Sequence, residues 1–125
     1  MAAGSDTGDR ATLFVLNDAP YGTERSYNGL RLAGSLARGG DEAIRVFLVG
    51  DAAACAKAGQ RVPKGYYNVE VMLRAVAREG GEIGVCGTCM DARGIADAEL
   101  AEDCRRSTLD ELADWTRSAD RVLVF

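Results

Sequence analysis

A chain of 125 residues, 47% of them hydrophobic, can bury a single core without covalent staples. Its four cysteines (Cys55, Cys86, Cys89 and Cys104) therefore read as intracellular thiols of a protein expected in the cytoplasm rather than as a secreted disulfide framework. The net charge of −4 argues against direct nucleic-acid binding or attachment to an anionic membrane, and no apolar run nears the about 18 residues of a spanning helix. Histidine is absent, which removes the usual neutral-pH acid/base, the Cys–His dyad and the commonest metal ligand.

Residues 1–10 (MAAGSDTGDR) are small and polar, with neither a basic nor an apolar segment of a signal peptide, and are expected to be a disordered leader. Residues 11–125 are expected to form one domain. Residues 12–17 (TLFVLN) are a β-type run closed by the turn-rich loop Asn-Asp-Ala-Pro-Tyr-Gly. A helix is predicted over 23–38, with Leu30, Ala33, Gly34 and Ala37 at helical spacing, Thr23 as N-cap and Gly39-Gly40 as the stop. Residues 44–49 (IRVFLV) form the second strand, 52–58 a short alanine-rich helix, and 59–65 a loop. Val69, Met72, Leu73 and Val76 mark a helix over 66–78, before a short strand at 83–86. Residues 97–104 are predicted as a short helix with Leu100 and Cys104 on one face. Thr108 and Glu111 form a capping box for the next helix, and 121–125 (RVLVF) are a last strand.

Strands alternating with helices, as continuous apolar runs, predict a three-layer α/β/α sandwich with a mainly parallel sheet of about five strands. Functional groups then gather at the carboxyl ends of the strands, which would bring together residues 17–22, 50–51 and 86–93. A last strand ending at Phe125 is expected to have no later segment covering its sheet edge, for which an oligomer is one solution.

The stretch GVCGTCMDARG (residues 84–94) holds the chemistry. If Val85 ends a strand and a helical turn starts near Thr88, both sulfurs lie where free backbone N–H groups favour a thiolate. Cys86 and Cys89 then fit a persulfide-carrying thiol, a dithiol redox couple or half of a metal site. The metal site is the weakest of these, because its remaining ligands would have to be the distant Cys55 and Cys104. No metal and no cofactor is expected. The redox reading lacks the neighbouring Trp and Pro of a thioredoxin motif. Asp91 and Arg93 either pair with each other or place positive charge near the thiolate. Cys55 and Cys104 read as core residues. Asn17, Asp18, Tyr21, Lys64 and Tyr66 are supporting or binding candidates: Asn17-Asp18 as a turn beside the active edge, and Tyr21, Lys64 and Tyr66 as the rim of a pocket.

Three separated motifs, VCGTCMDARGI (85–95), VPKGYYNVE (62–70) and RSTLDELADW (106–115), resemble the DsrE/DsrF-like sulfur-relay family, and within it the small stand-alone YchN-like members. The resemblance runs from Thr12 to Phe125. It implies a compact α/β fold, assembly into homotrimers or homohexamers, and a cysteine that takes sulfane sulfur from a donor protein and passes it to an acceptor. The family's carrier cysteine precedes the glycine of an Arg-Gly pair by eight positions, which falls on Cys86 and Gly94. Cys89 stands where relay subunits often have a small apolar residue, and its role stays open among resolving thiol, disulfide partner and inert residue. Two other readings stand beside the carrier: a non-catalytic homo-oligomeric scaffold binding a small molecule between Asn17, Tyr21 and Tyr66, and a Cys86–Cys89 dithiol redox protein.

Overall fold

The computed structural model describes residues 10–125, so all but Arg10 of the expected leader lies outside the described residues. Five strands form one sheet: β1 (Ala11–Leu16), β2 (Ala43–Leu48), β3 (Glu82–Cys86), β4 (Cys104–Ser107) and β5 (Arg121–Val124). The order is β4-β3-β2-β1-β5, and every neighbouring pair is parallel. Helices α1 (Arg25–Gly39), α2 (Val69–Arg78), α3 (Gly87–Ala92) and α4 (Leu109–Ser118) connect the strands. The chain steps from β1 to β4 in one direction, then crosses back through α4 to place β5 beside β1. This is the α/β architecture that the alternating apolar runs predict.

Successive strand residues face opposite sides of the sheet, so the apolar strands supply two cores. Phe14, Leu16, Val46, Leu48, Ile83 and Val85 pack with Leu30 and Ala33 of α1 and with Val69, Leu73 and Val76 of α2. Close approach of α1 depends on Gly29, where an added Cβ would stand 2.7 Å from Leu16 Cδ2. The opposite face carries a smaller cluster, Leu13, Phe47 and Trp115, with Phe47 and Trp115 edge to face at 6.1 Å. Among the described residues α4 is the one helix that supplies side chains to that cluster, and Val122 and Val124 of β5 remain 40% and 65% exposed.

Four local expectations are corrected. Thr23 does not cap α1: its hydroxyl donates to Asp18, and Glu24 holds the cap position without a side-chain bond. The predicted helix over 66–78 begins only at Val69, where Asn68 Oδ1 accepts the Val71 N–H at 3.1 Å. The alanine-rich segment is a 3-10 helix, Gly50–Ala56, and residues 97–104 hold only a single 3-10 turn, Asp97–Glu99, before β4. The last two corrections share a cause. Ala58 N–H donates to Glu99 O at 2.8 Å and Ala101 N–H to Ala56 O at 2.7 Å, so the two segments take each other's backbone groups instead of completing α-helices. At α4 half of the capping box forms: Thr108 Oγ1 accepts the Glu111 N–H, while the Glu111 carboxylate turns to Arg105 and Ser107.

Candidate functional site

β3 delivers the thiols. Ile83 and Val85 point into the larger core, which leaves Gly84 and Cys86 on the opposite face, with Cys86 against the cluster of Leu13, Phe47 and Trp115. Gly87 follows because there is no room for a side chain: an added Cβ would lie 2.9 Å from Arg106 Nη1 and 3.1 Å from Ser107 O. The chain then turns into α3, and Cys86 occupies its cap position, its sulfur accepting the Cys89 N–H at 3.3 Å.

The same sulfur is hydrogen-bonded to the Thr88 hydroxyl at 3.3 Å. Burial alone would raise the Cys86 pKa. Hydrogen bonds from the Cys89 thiol, the Thr88 hydroxyl and the backbone outweigh it, and the net displacement is below the ordinary thiol value. Cys89 moves the other way. Burial and its hydrogen bond to Cys86 raise it, against the opposing pull of the Gly50 N–H, which donates to Cys89 Sγ at 3.1 Å, and of the Arg93 charge. One sulfur of the pair is thus poised to ionise and the other to keep its proton.

Two arginines hold this turn in place. Arg93 donates to Asp51 Oδ1 through Nε at 3.1 Å and Nη2 at 2.9 Å, and to Cys89 O at 3.1 Å, which ties the end of α3 to the segment after β2. Residues 50–51 thus meet the thiol stretch at the carboxyl ends of the strands, as the parallel sheet implies. Arg106 of β4 donates to Gly87 O at 3.1 Å, to Asp91 at 3.0 Å and to Asp97 at 2.7 Å. Of the two readings of Asp91 and Arg93, the mutual pair gives way to Asp91–Arg106 and Arg93–Asp51, while the Arg93 charge does act on a thiol, that of Cys89. Residues two apart on a helix diverge, which is why the local pairing fails. Sequence reasoning misses Arg106 and the Thr88 hydroxyl. Arg106 opens the stretch 106–115, but its partners Gly87, Asp91 and Asp97 lie elsewhere in the chain and are brought to it by the fold.

The remaining candidates have other places. Asn17 Nδ2 and the Asn17 N–H both donate to Phe125 O, at 3.1 and 2.9 Å, which fastens β1 to the chain beyond β5. Asp18 is a turn element, accepting from Thr23 at 2.9 Å and lying 3.6 Å from Arg25. Tyr21 donates to Gln60 Oε1 at 2.5 Å and accepts the Val69 N–H at 3.0 Å. Tyr21, Tyr66 and Tyr67 do line a cavity of about 650 Å³, together with Arg61 and Pro63, but Asn17 takes no part in it. Lys64 is exposed. Cys55 and Cys104 are buried in the larger core, where burial pushes both up to about 12. Among the described residues no three Cys, Asp or Glu side chains are grouped to hold a metal ion, and no helix is long and apolar enough to cross a membrane.

The described residues thus form a parallel five-stranded α/β domain with a Cys-x-x-Cys turn at the carboxyl end of β3. The sequence profile of the DsrE/DsrF-like family matches residues 10–125, and the chain belongs to that family. It is 40% identical to Protein YchN of Escherichia coli K12 over 114 residues, covering 90% of this chain and 97% of YchN. It is 32% identical to an uncharacterized protein of Methanopyrus kandleri over 122 residues, or 98% of this chain and 99% of that one. The crystal structure of the Escherichia coli YchN protein superposes with a TM-score of 0.88 at 39% identity, over 93% of this chain and 99% of that chain.

Proposed function

We propose that this protein is a cytoplasmic sulfur carrier in which Cys86 accepts sulfane sulfur from a donor protein and hands it to an acceptor. The observation that carries the proposal is the Cys86 sulfur itself: half-exposed, hydrogen-bonded by the Cys89 N–H and Thr88, and displaced toward the thiolate. The step is displacement at sulfur. Cys86 thiolate attacks the outer sulfur of a donor persulfide, the new S–S bond forms as the old one breaks, and the donor leaves as its own thiolate. Transfer to the acceptor repeats the step in reverse roles, and neither step requires a cofactor.

Assembly into a homotrimer or homohexamer belongs to the same proposal. It is supported by the sheet face that α4 alone covers among the described residues, where Val122 and Val124 leave apolar surface next to the cluster that holds Cys86. Light scattering on the purified chain should return three or six times the monomer mass.

The carrier reading is tested by incubating the reduced protein with a cysteine desulfurase and cysteine. Wild type should gain about 32 Da, the mass of one sulfur, and Cys86→Ser should gain nothing. Equal gain by both would sink the assignment. The dithiol redox reading has the two hydrogen-bonded thiols in its favour, and a loss of about 2 Da with no adduct at any time would put it first.

A further inference from the structure

We propose that Cys89 resolves the persulfide: its sulfur attacks Cys86 Sγ, expels the outer sulfur as hydrosulfide and closes a Cys86–Cys89 disulfide. The proposal rests on the reading of Cys86 as the carrier and gives that carrier a second outlet, which needs no acceptor thiol.

The two thiols are held at one turn. Residues i and i+3 over a first helical turn stand about 5 Å apart at Cα, inside the range of about 4.4–6.8 Å that a disulfide spans. The Cys89 N–H already donates to Cys86 Sγ at 3.3 Å, so the two residues share one local frame. Gly50 N–H holds Cys89 Sγ at 3.1 Å from the other side. Cys89 Sγ is itself hydrogen-bonded to the inner sulfur, Cys86 Sγ, from which an outer sulfur would extend by one S–S bond, about 2 Å. The Arg93 and Arg106 bonds to Cys89 O and Gly87 O fix the backbone at both thiols, so the approach costs little reorganisation.

The roles follow from the asymmetry of the two sulfurs. Cys86, the more acidic, meets the donor. Cys89 keeps its proton until Cys86 is loaded, and then gives that proton to the outer sulfur. The Cys89 thiolate attacks Cys86 Sγ, the Cys86–outer sulfur bond breaks, and HS⁻ leaves with the electron pair. Cys86–S–S⁻ plus Cys89–SH becomes one disulfide plus HS⁻, balanced in atoms, charge and electrons, with the sulfane sulfur itself as the oxidant. An external dithiol reopens the disulfide for the next cycle.

The test uses the reduced full chain, loaded by a desulfurase and cysteine, desalted, and followed without reductant by intact mass and by free sulfide. In wild type the adduct of about 32 Da should decay to a species about 2 Da below the reduced mass, with one equivalent of sulfide released. Cys89→Ser should keep its adduct at least about 100-fold longer and release none, because the attacking group is no longer held within the molecule. Cys89→Ala serves equally if the serine variant is poorly folded. Equal decay in wild type and Cys89→Ser would overturn the proposal, as would peptide mapping that finds the extra sulfur moved intact onto Cys89. Loading of Cys86→Ser would overturn the carrier reading itself, a separate and recognisable failure.

Discussion

Cys55 and Cys104 are enclosed by the larger core among leucine, valine and alanine side chains, whereas Cys86 and Cys89 stand half-exposed at the carboxyl end of β3, each sulfur accepting a backbone N–H. The residue type is constant and the surroundings are not. Burial raises a thiol to about 12, at Cys55 even against a hydrogen bond from Ser26 and at Cys104 with the nearby Asp103 and Glu70 charges adding to it, while donors aimed at a half-exposed sulfur bring Cys86 below its ordinary value. Position in the fold thus separates buried sulfur from the half-exposed sulfur that the proposal makes the carrier.

The largest effect that would break this contrast is alkaline. Cys55 and Cys104 are raised from 9.0 to about 12 in the folded protein, so between those values the unfolded chain binds fewer protons and stability falls as pH rises. Their contribution is fully present below 9.0 and is lost toward about 12, at up to about 1.4 kcal/mol per pH unit for each thiol. Cys86, being lowered, has the opposite sign: its contribution is present above 9.0 and is lost as pH falls through its folded value. Urea midpoints of wild type and Cys55→Ala at about pH 8 and about pH 11 should show a smaller alkaline loss in the variant. An equal loss would remove Cys55 from the account.

Next in size is truncation to serine at neutral pH. Cys55→Ser and Cys104→Ser each introduce a hydroxyl into an apolar core and should cost about 1–3 kcal/mol in denaturant unfolding. Cys86→Ser, at a half-exposed position, should stay within about 0.5 kcal/mol of wild type. The smallest effect sharpens the contrast within the reactive pair. Thr88→Ala removes one hydrogen bond from the Cys86 sulfur and should slow its alkylation at neutral pH by about 2–5-fold, read by peptide mass, through a smaller thiolate fraction.

Much of the fold is legible in the amino-acid sequence alone. The runs TLFVLN, IRVFLV and RVLVF are apolar enough to announce buried strands, and β1, β2 and β5 lie where those runs stand. β4 is not legible in this way. Its sequence, CRRS, puts two exposed arginines in the middle of a four-residue edge strand, and only backbone pairing with β3 makes it a strand. The thiol turn announces itself through its spacing and its glycines, but its supports do not. Arg106 reaches Gly87, Asp91 and Asp97 across the sheet, and Asp51 meets Arg93 from another loop. Such contacts are made by topology, and no local pattern encodes them. The same holds for Asn17, whose place at the end of β1 reads as a turn or binding residue but whose amide fastens Phe125.

The most direct measurement is the rate of iodoacetamide alkylation at each of the four cysteines of the folded protein as a function of pH, resolved by peptide mass. The account predicts that Cys86 reacts first, with a midpoint below 9.0, while Cys55 and Cys104 stay protected across the same range. A Cys86 midpoint at or above 9.0, or alkylation of Cys55 as fast as that of Cys86, would contradict it.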